Sequence, residues 1–283
     1  MIQDIFPHIL RNEFTDKTEP REYDKVLIFR ENKVLVKAGA VLSYPEFGEL
    51  RKNNMADRCR YRYILKMDEQ EIYLGISEEA IELPGYSFES TQLFRSAEPM
   101  ELAYAGVTAW HLYQWYRDNR YCGRCGGELV HDHKERMLSC PVCRRQVYPG
   151  ISPSVIVAVT DGSRLLVTRY AANRNYRKYA LVAGFTEIGE TAEQTVAREV
   201  MEETGLHVKN IRYYKSQPWG FSGGLLLGYW AELDGDDTIH LDTEELCEGK
   251  WVTPEELELD SLTISLTREM MGLFKEGKFG LTV

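Results

Sequence analysis

Four of the six cysteines fall in two pairs, Cys122-Gly123-Arg124-Cys125 and Cys140-Pro141-Val142-Cys143, with fourteen residues between them. No other feature limits the fold as much, because two tight turns at this spacing offer four thiolates to a single tetrahedral Zn²⁺. Four sulfur ligands leave no open position for water. The ion is therefore expected to be structural, supplying folding free energy to a segment too short to build its own core. His131 and His133 lie between the pairs, but with the tetrahedron complete in sulfur they are expected to be solvated loop residues. Cys59 and Cys247 are isolated. Six cysteines in 283 residues are too few for a disulfide scaffold, and paired spacing in a reducing compartment points to metal.

A chain of this length holds two or three compact units at about 150 residues per domain. Its 43% hydrophobic and 28% charged residues are those of a globular protein rather than a disordered one. The 34 Lys and Arg against 44 Asp and Glu give a net charge of -10, so no global field draws the protein to nucleic acid or an anionic membrane. Any polyanion site must be local. Between Arg117 and Val147 there are seven Lys or Arg against four Asp or Glu, a surplus that would help nucleic-acid contact and that equally fits an ordinary surface. Apolar runs such as Val155 to Val159 fall far short of the roughly 20 residues of a membrane helix. The segment MIQDIFPHILRNEF carries Asp4 early and lacks a basic start followed by a long apolar core. A cytoplasmic location is expected.

From residue 20 to about 90 the pattern is strand-like. KVLIFRENKVLVK has two short apolar runs around Glu31-Asn32, and YRYILKMDEQEIYLGI repeats this around Asp68-Glu69, which predicts a small antiparallel sheet unit. Met100 to Asn119 has no internal proline and predicts a helix whose aromatics serve the core. Pro149 and Pro153 mark a linker, after which SVIVAVT and RLLVTRY read as strands around an Asp161-Gly162 turn. Strand, loop and helix then alternate without a repeat, an α+β pattern rather than regular βαβ winding.

The most informative stretch is GFTEIGETAEQTVAREVMEETGL, residues 184 to 206. Thr191 followed by Gln194 is a capping box, and Gly205 is placed to end the helix in a left-handed turn. Between them a helix of about three and a half turns is expected. At about 100° per residue Glu199, Glu202 and Glu203 share one face, beside the apolar Val196, Ala197 and Val200. Arg198 can pair with Glu202 at i+4, leaving Glu199 and Glu203 uncompensated. Two such charges about 4 Å apart repel by roughly 4 kcal/mol at an effective dielectric of 20. A divalent cation reverses that sign, and hard oxygen ligands suit Mg²⁺ or Mn²⁺. Taken alone, the cluster would equally be a solvated acidic face.

The fixed spacing of Gly184, Glu190, Arg198-Glu199-Val200, Glu202-Glu203 and Gly205-Leu206 resembles the Nudix box at every position. The resemblance implies an α/β/α sandwich with a mixed sheet and metal-dependent cleavage of a nucleoside diphosphate linked to another group. It implies that Glu199 and Glu203 bind metal and Glu202 assists, that Arg198 orients the cluster, and that Glu190 supports the loop-helix junction. The carbonyl of Ala183 completes a metal site, and Glu245 matches a further metal-binding glutamate, although residues 232 to 260 are acidic throughout and a solvated role fits it as well. A zinc ribbon before the box and Ser216-Gln217-Pro218-Trp219 after it resemble the NADH pyrophosphatase branch. The expected organisation is a β-rich domain over 1–118, the ribbon over 119–148 and a Nudix domain over 149–283.

This branch has the fuller signature SQPWPFPxS. Here Gly220-Phe221-Ser222-Gly223-Gly224 follows instead, keeping Phe221 and losing two prolines and the final serine, so substrate preference stays open. Residue by residue, the resemblance makes Phe185 a ring that stacks on a base, with Tyr148 and Glu135 contacting substrate across a homodimer interface. Thr267 stands where the family usually has alanine. The expected reaction is hydrolysis of NADH or NAD⁺ to AMP and the nicotinamide mononucleotide. Glu202 and Glu203 are both candidates to accept the proton of the attacking water. ADP-ribose and NAD-capped RNA are alternative substrates. A non-catalytic nucleotide sensor, or a nucleic-acid-binding regulator using the ribbon, is the alternative of another class.

Overall fold

A computed structural model describes residues 1–37, 39–171, 178–259 and 264–279. They form two compact units, one of residues 2–150 with 220–222, the other of Met1, 151–219 and 223 onward.

The first unit contains β1 (Leu10–Arg11), β2 (Lys25–Arg30), β3 (Lys33–Lys37), α1 (Phe47–Lys52), β4 (Arg60–Met67), β5 (Gln70–Ile76), β6 (Tyr86–Ser90) and α2 (Met100–Asp118). The sheet order is β1-β4-β5-β2-β3-β6. Both hairpins turn where the apolar runs break, with Glu31 and Asp68 in the left-handed region at φ 51°. The sheet is mixed rather than antiparallel, since β2 runs parallel to β5. Alternation reveals which segments are strands, but neighbour order depends on side chains far apart in sequence. One face packs Val26, Ile28 and Leu35 against Leu50 of α1. On the other, Phe29 meets Trp110 and Tyr113 of α2 at ring distances of 5.4 and 5.2 Å.

The same unit carries the ribbon strands β7 (Val130–His131), β8 (Leu138–Ser139) and β9 (Gln146–Val147), paired antiparallel in sequence order. His133 is exposed as expected, its Nδ1 2.5 Å from Asp16. His131 is not a solvated loop residue. It sits half-buried on β7 with its ring 5.2 Å from that of Tyr116, because the β7-β8 hairpin lays this residue against α2. Burial first, and Arg62 after it, lower its pKa from 6.5 to about 4. The unfolded chain therefore takes up the proton before the folded one does. Stability should fall as pH descends from about 6.5 to about 4, and His131→Gln should flatten that part of the pH profile of chemical unfolding. A profile unchanged by the substitution would refute this.

The second unit contains β10 (Ser152–Asp161), β11 (Arg164–Tyr170), β12 (Val182–Phe185), α3 (Ala192–Thr204), β13 (Val208–Trp219), β14 (Gly224–Leu233), β15 (Leu246–Val252) and α4 (Leu266–Lys275). The sheet order is β13-β14-β10-β11-β15, with β12 also paired to β10. Among the described residues of this sheet, only β10 and β14 run parallel. Alternation along β10 divides the core in two. Val155, Val157 and Val159 face Val196 and Val200 of α3, whereas Ile156 and Ala158 face Leu266, Met270, Met271 and Phe274 of α4. Each fully buried Val, Leu or Phe contributes about 1.5–3 kcal/mol of transfer free energy, so both helices are held by the one central strand. Pro153 is not in a linker. It is the second residue of β10, where proline is tolerated at a strand start, and its carbonyl accepts the Thr186 N–H at 3.0 Å.

Candidate active site

Helix α3 begins and ends as its sequence requires. The Thr191 hydroxyl accepts the Gln194 N–H, the Gln194 amide accepts the Thr191 N–H, and Gly205 ends the helix at φ 69°. Two of its last carbonyls are taken by the following chain, with the His240 N–H donating to Thr204 O at 2.9 Å and the Asp242 N–H to Glu203 O at 3.1 Å. A Cβ on Gly205 would lie 2.9 Å from that of His240. This docking carries the chain onward to Glu245 and β15.

Arg198 organises the acidic side chains. Its Nε donates to Glu190 Oε1 at 2.6 Å and its Nη2 to Glu190 Oε2 at 3.0 Å. Its Nη1 donates to Glu199 Oε1 and Glu202 Oε2, both at 2.8 Å, and Nη2 also reaches the Phe185 carbonyl at 2.9 Å. The expected pairing with Glu202 alone was too narrow, because the guanidinium fork has five donors and spans three carboxylates. Glu190 also accepts the Glu187 N–H at 3.1 Å and the Thr195 hydroxyl at 3.0 Å. Arg198 above all, with these two donors, holds the Glu190 carboxyl down at about 2. Thr195, fully buried, is a supporting residue that the sequence reading missed. Its only signal was its position five residues after Glu190.

Glu199 behaves in the opposite way. Burial raises its pKa, Glu202 and Glu245 add to the rise, and Arg198 opposes it. Its carboxyl group lies directly over Gly184, where a Cβ would coincide with it. The box glycine is therefore required for space, not for an unusual φ. Gly184→Ala should displace the Glu199 carboxylate and lower kcat/KM about 100-fold, the cost typical of a 1 Å misplacement, with an unchanged far-ultraviolet dichroism spectrum. Full activity in this variant would refute the assignment. Ala183 and Gly184 pair with Ile156 and Val155 of β10, which fixes this floor to the central strand. Glu203 is buried, at 5% exposure, whereas Glu202 is 60% exposed.

One Arg198 is shared among Glu190, Glu199 and Glu202, and Glu203 follows on the same helix. Carboxylates are the hard-oxygen ligands that Mg²⁺ or Mn²⁺ takes, but among the described residues Glu199, Glu203 and Glu245 do not bring three ligand atoms together. The cysteines fit zinc more directly. Their four sulfurs lie within 4.8 Å of one another, the only such gathering of three or more His, Cys, Asp or Glu among the described residues. The Cys122–Cys143 and Cys125–Cys140 sulfurs are 3.5 and 3.4 Å apart, near the roughly 3.8 Å edge of a tetrahedron with 2.3 Å bonds. The Arg124 N–H points at Cys122 Sγ from 3.4 Å and lowers the pKa of that thiol, and the Cys143 N–H does the same for Cys140.

The expected substrate residues fall into different environments. Phe185 ends β12 with its ring 57% exposed beside the box loop. Tyr148 and Glu135, both exposed, bond to each other, hydroxyl to carboxylate at 2.7 Å. Ser216, Gln217, Pro218 and Trp219 form the end of β13. Within it Gln217 is wholly buried, receiving the Leu266 N–H at 2.7 Å and donating to Ile264 O at 2.8 Å. Its amide thus holds the start of α4. That link also anchors the half-buried Thr267, in the first turn of α4, to the SQPW strand. Phe221 belongs to the first unit, its ring 4.3 Å from the Arg95 guanidinium carbon. Gly220 replaces the expected proline where a Cβ would meet Val107 O at 2.5 Å.

Residues 150–271 match the NUDIX domain family, and residues 117–148 match the NADH pyrophosphatase zinc ribbon domain. Proteins named NAD-capped RNA hydrolase NudC from Shigella flexneri and from Escherichia coli (strain K12 / DH10B) are 43% and 42% identical over 159 residues. Those matches cover 56% of this chain and 60% of each relative, so the chain spans about three fifths of the length of the curated relatives it matches. A crystal structure of a NUDIX hydrolase from Nitrosomonas europaea, 22% identical, covers 58% of this chain and 95% of that one with a TM-score of 0.49.

Proposed function

We propose that this chain, which carries a NUDIX domain behind an NADH pyrophosphatase zinc ribbon domain, hydrolyses the pyrophosphate bond of NADH or NAD⁺ to AMP and the nicotinamide mononucleotide. The observation that carries the reading is the set of carboxylates gathered by Arg198 above Gly184. Glu199, Glu203 and Glu245 would hold a divalent ion, which when bound would polarise a phosphoryl oxygen and lower the pKa of the attacking water. Arg198 keeps Glu199 and Glu202 on one side of the helix and ties them through Glu190 to the loop. Glu202 and Glu203 are the candidates to take the proton. Phe185 presents a ring on which a base can stack. Positioning and charge neutralisation then supply most of the catalysis, as in other phosphoryl transfers. Zinc holds the ribbon, and Tyr148 with Glu135 contacts substrate across a homodimer.

The test is a panel of NADH, NAD⁺ and ADP-ribose with purified protein and Mg²⁺ or Mn²⁺, with products identified. Metal-dependent release of AMP and the mononucleotide from NADH supports the reading. Binding of NADH with no cleavage would favour a nucleotide sensor instead.

A second reading keeps the bond and changes what is attached to it. The NudC relatives are named for NAD-capped RNA. In this chain the ribbon residues Arg124, Arg144 and Arg145 are exposed and could follow a phosphate backbone. Cleavage of capped RNA should then fall steeply with salt while cleavage of free NADH does not. Parallel salt dependence of the two would count against ribbon contact.

A further inference from the structure

The turn after Ser216-Gln217-Pro218-Trp219 is where this chain loses its expected prolines. β13 ends at Trp219, opposite Gly224 of β14, so residues 220–223 make the turn. Gly220, Phe221 and Ser222 belong to the first unit together with α2. A Cβ on Gly220 would lie 2.5 Å from Val107 O and 3.1 Å from the Val107 carbonyl carbon. These are backbone atoms inside a helix, held by its hydrogen-bond ladder, so neither proline nor any other side chain fits at 220. A proline would set the turn from within by fixing φ. Here the constraint comes from the surface on which the turn rests.

Phe221 is held by a side chain. It is half-buried, and the Arg95 guanidinium carbon stands 4.3 Å from its ring centroid, well inside the roughly 6 Å at which a cation is drawn to an aromatic face. The guanidinium is itself fixed. Its Nε donates to Gln92 Oε1 at 2.7 Å, and Arg95 closes a short 3₁₀ turn, Thr91–Arg95, in which Phe94 is buried at 1% exposure. Phe94 fits because Gly106 has no side chain, since a Cβ there would lie 2.5 Å from Phe94 Cε1. Consecutive residues of α2 therefore make both halves of the seat, Gly106 by placing the Arg95 turn and Val107 by receiving Gly220.

We propose that Arg95 is a positioning residue for dinucleotide binding, which holds the SQPW strand end in place by stacking on Phe221 and so takes over the task of the missing prolines. The proposal rests on the NADH or NAD⁺ reading above. Arg95 acts through the strand and takes no part in bond cleavage, so substrate binding depends on it and turnover does not.

The test uses the full zinc-loaded chain with Mg²⁺. Arg95→Ala should raise KM for NADH about tenfold with kcat unchanged, the size of effect expected from one partly desolvated cation–ring contact, and should speed amide exchange across residues 219–224. Arg95→Lys, which keeps a cation over the ring, should recover most of the KM. Gly220→Ala should repeat the Arg95→Ala pattern by pushing the turn off Val107, and Arg58→Gln, at an exposed cation paired with Glu79, should match the parent. Unchanged exchange at 219–224 in Arg95→Ala, faster exchange with an unchanged KM, or a fall in kcat as large as the rise in KM would overturn the proposal. If the parent cleaves no dinucleotide, the proposed function fails separately, and the Kd of NADH in the same variants decides for Arg95: about tenfold weaker binding in Arg95→Ala supports its role, and equal binding overturns it.

Discussion

Glu199→Gln should lose about 1,000-fold in Mg²⁺-dependent turnover of NADH while the magnesium-free protein stays as stable as the parent or becomes more stable. The side chains have the same shape, and the amide oxygen can still accept from Arg198 Nη1, which donates to Glu199 at 2.8 Å. What disappears is the charge. Removing one anionic ligand from a metal that stabilises transition-state charge by several kcal/mol costs on the order of 10³ in rate. Stability moves the other way because Glu199 has its pKa raised, by burial first and by Glu202 and Glu245 after it. A carboxyl whose folded pKa lies above its unfolded value favours the fold at low pH, and that contribution is lost as pH rises through the folded pKa. Near neutral pH the ionised Glu199 is therefore a burden that Gln relieves. The paired measurement is kcat against Mg²⁺ together with the thermal midpoint in magnesium-free buffer. Glu193→Gln, the same charge change in the first turn of the same helix, should leave turnover intact. Near-normal turnover in Glu199→Gln, or a loss of stability that accounts for its lost activity, would remove the metal role from this residue.

The helix with its caps was legible because its determinants are local. Thr191, Gln194 and Gly205 each act within one turn, and the β10 alternation that separates the α3 and α4 cores is likewise written in consecutive residues. Legibility failed where a residue's partner is remote. Gln217 stands in the SQPW motif, yet its partners Ile264 and Leu266 lie nearly fifty residues away. His131 looked like a loop residue because nothing near it in sequence announces Tyr116. The parallel β2-β5 pairing was missed for the same reason, since both strands had been assigned to hairpins from their nearest neighbours. Gly184 stood between these cases. The box made it a fixed position, but only the Glu199 carboxylate lying against it explains why nothing larger fits.

Cys140→Ser should abolish zinc retention and unfold residues 117–148, whereas withdrawal of magnesium should leave that segment folded and stop turnover reversibly. The ribbon strands are two residues long each. Its apolar cluster consists of Trp115, Leu129 and Leu138 with Cys122 and Cys140 themselves, flanked by Leu112, Tyr116 and Val147. A few such side chains make only a small core for some thirty residues. Structural zinc in small domains supplies about 10–16 kcal/mol at neutral pH, which makes the metal the deciding contribution. Two of the cluster's five buried members are ligands, so losing the ion also loosens the apolar contacts. Zinc content by mass spectrometry should drop from one ion per chain to none, and amide exchange across 117–148 should become fast. Cys247→Ser and Cys59→Ser, which change cysteines outside the cluster, should keep the ion. The ribbon carries Glu135, and Tyr148, to which it bonds, follows β9. If Glu135 and Tyr148 contact substrate as proposed, loss of zinc should raise KM for NADH well before it lowers kcat, because the carboxylates proposed to hold the metal belong to α3 and not to the ribbon. A Cys140→Ser protein that keeps both its zinc and its slow exchange would show that the four thiolates do not hold the ribbon together.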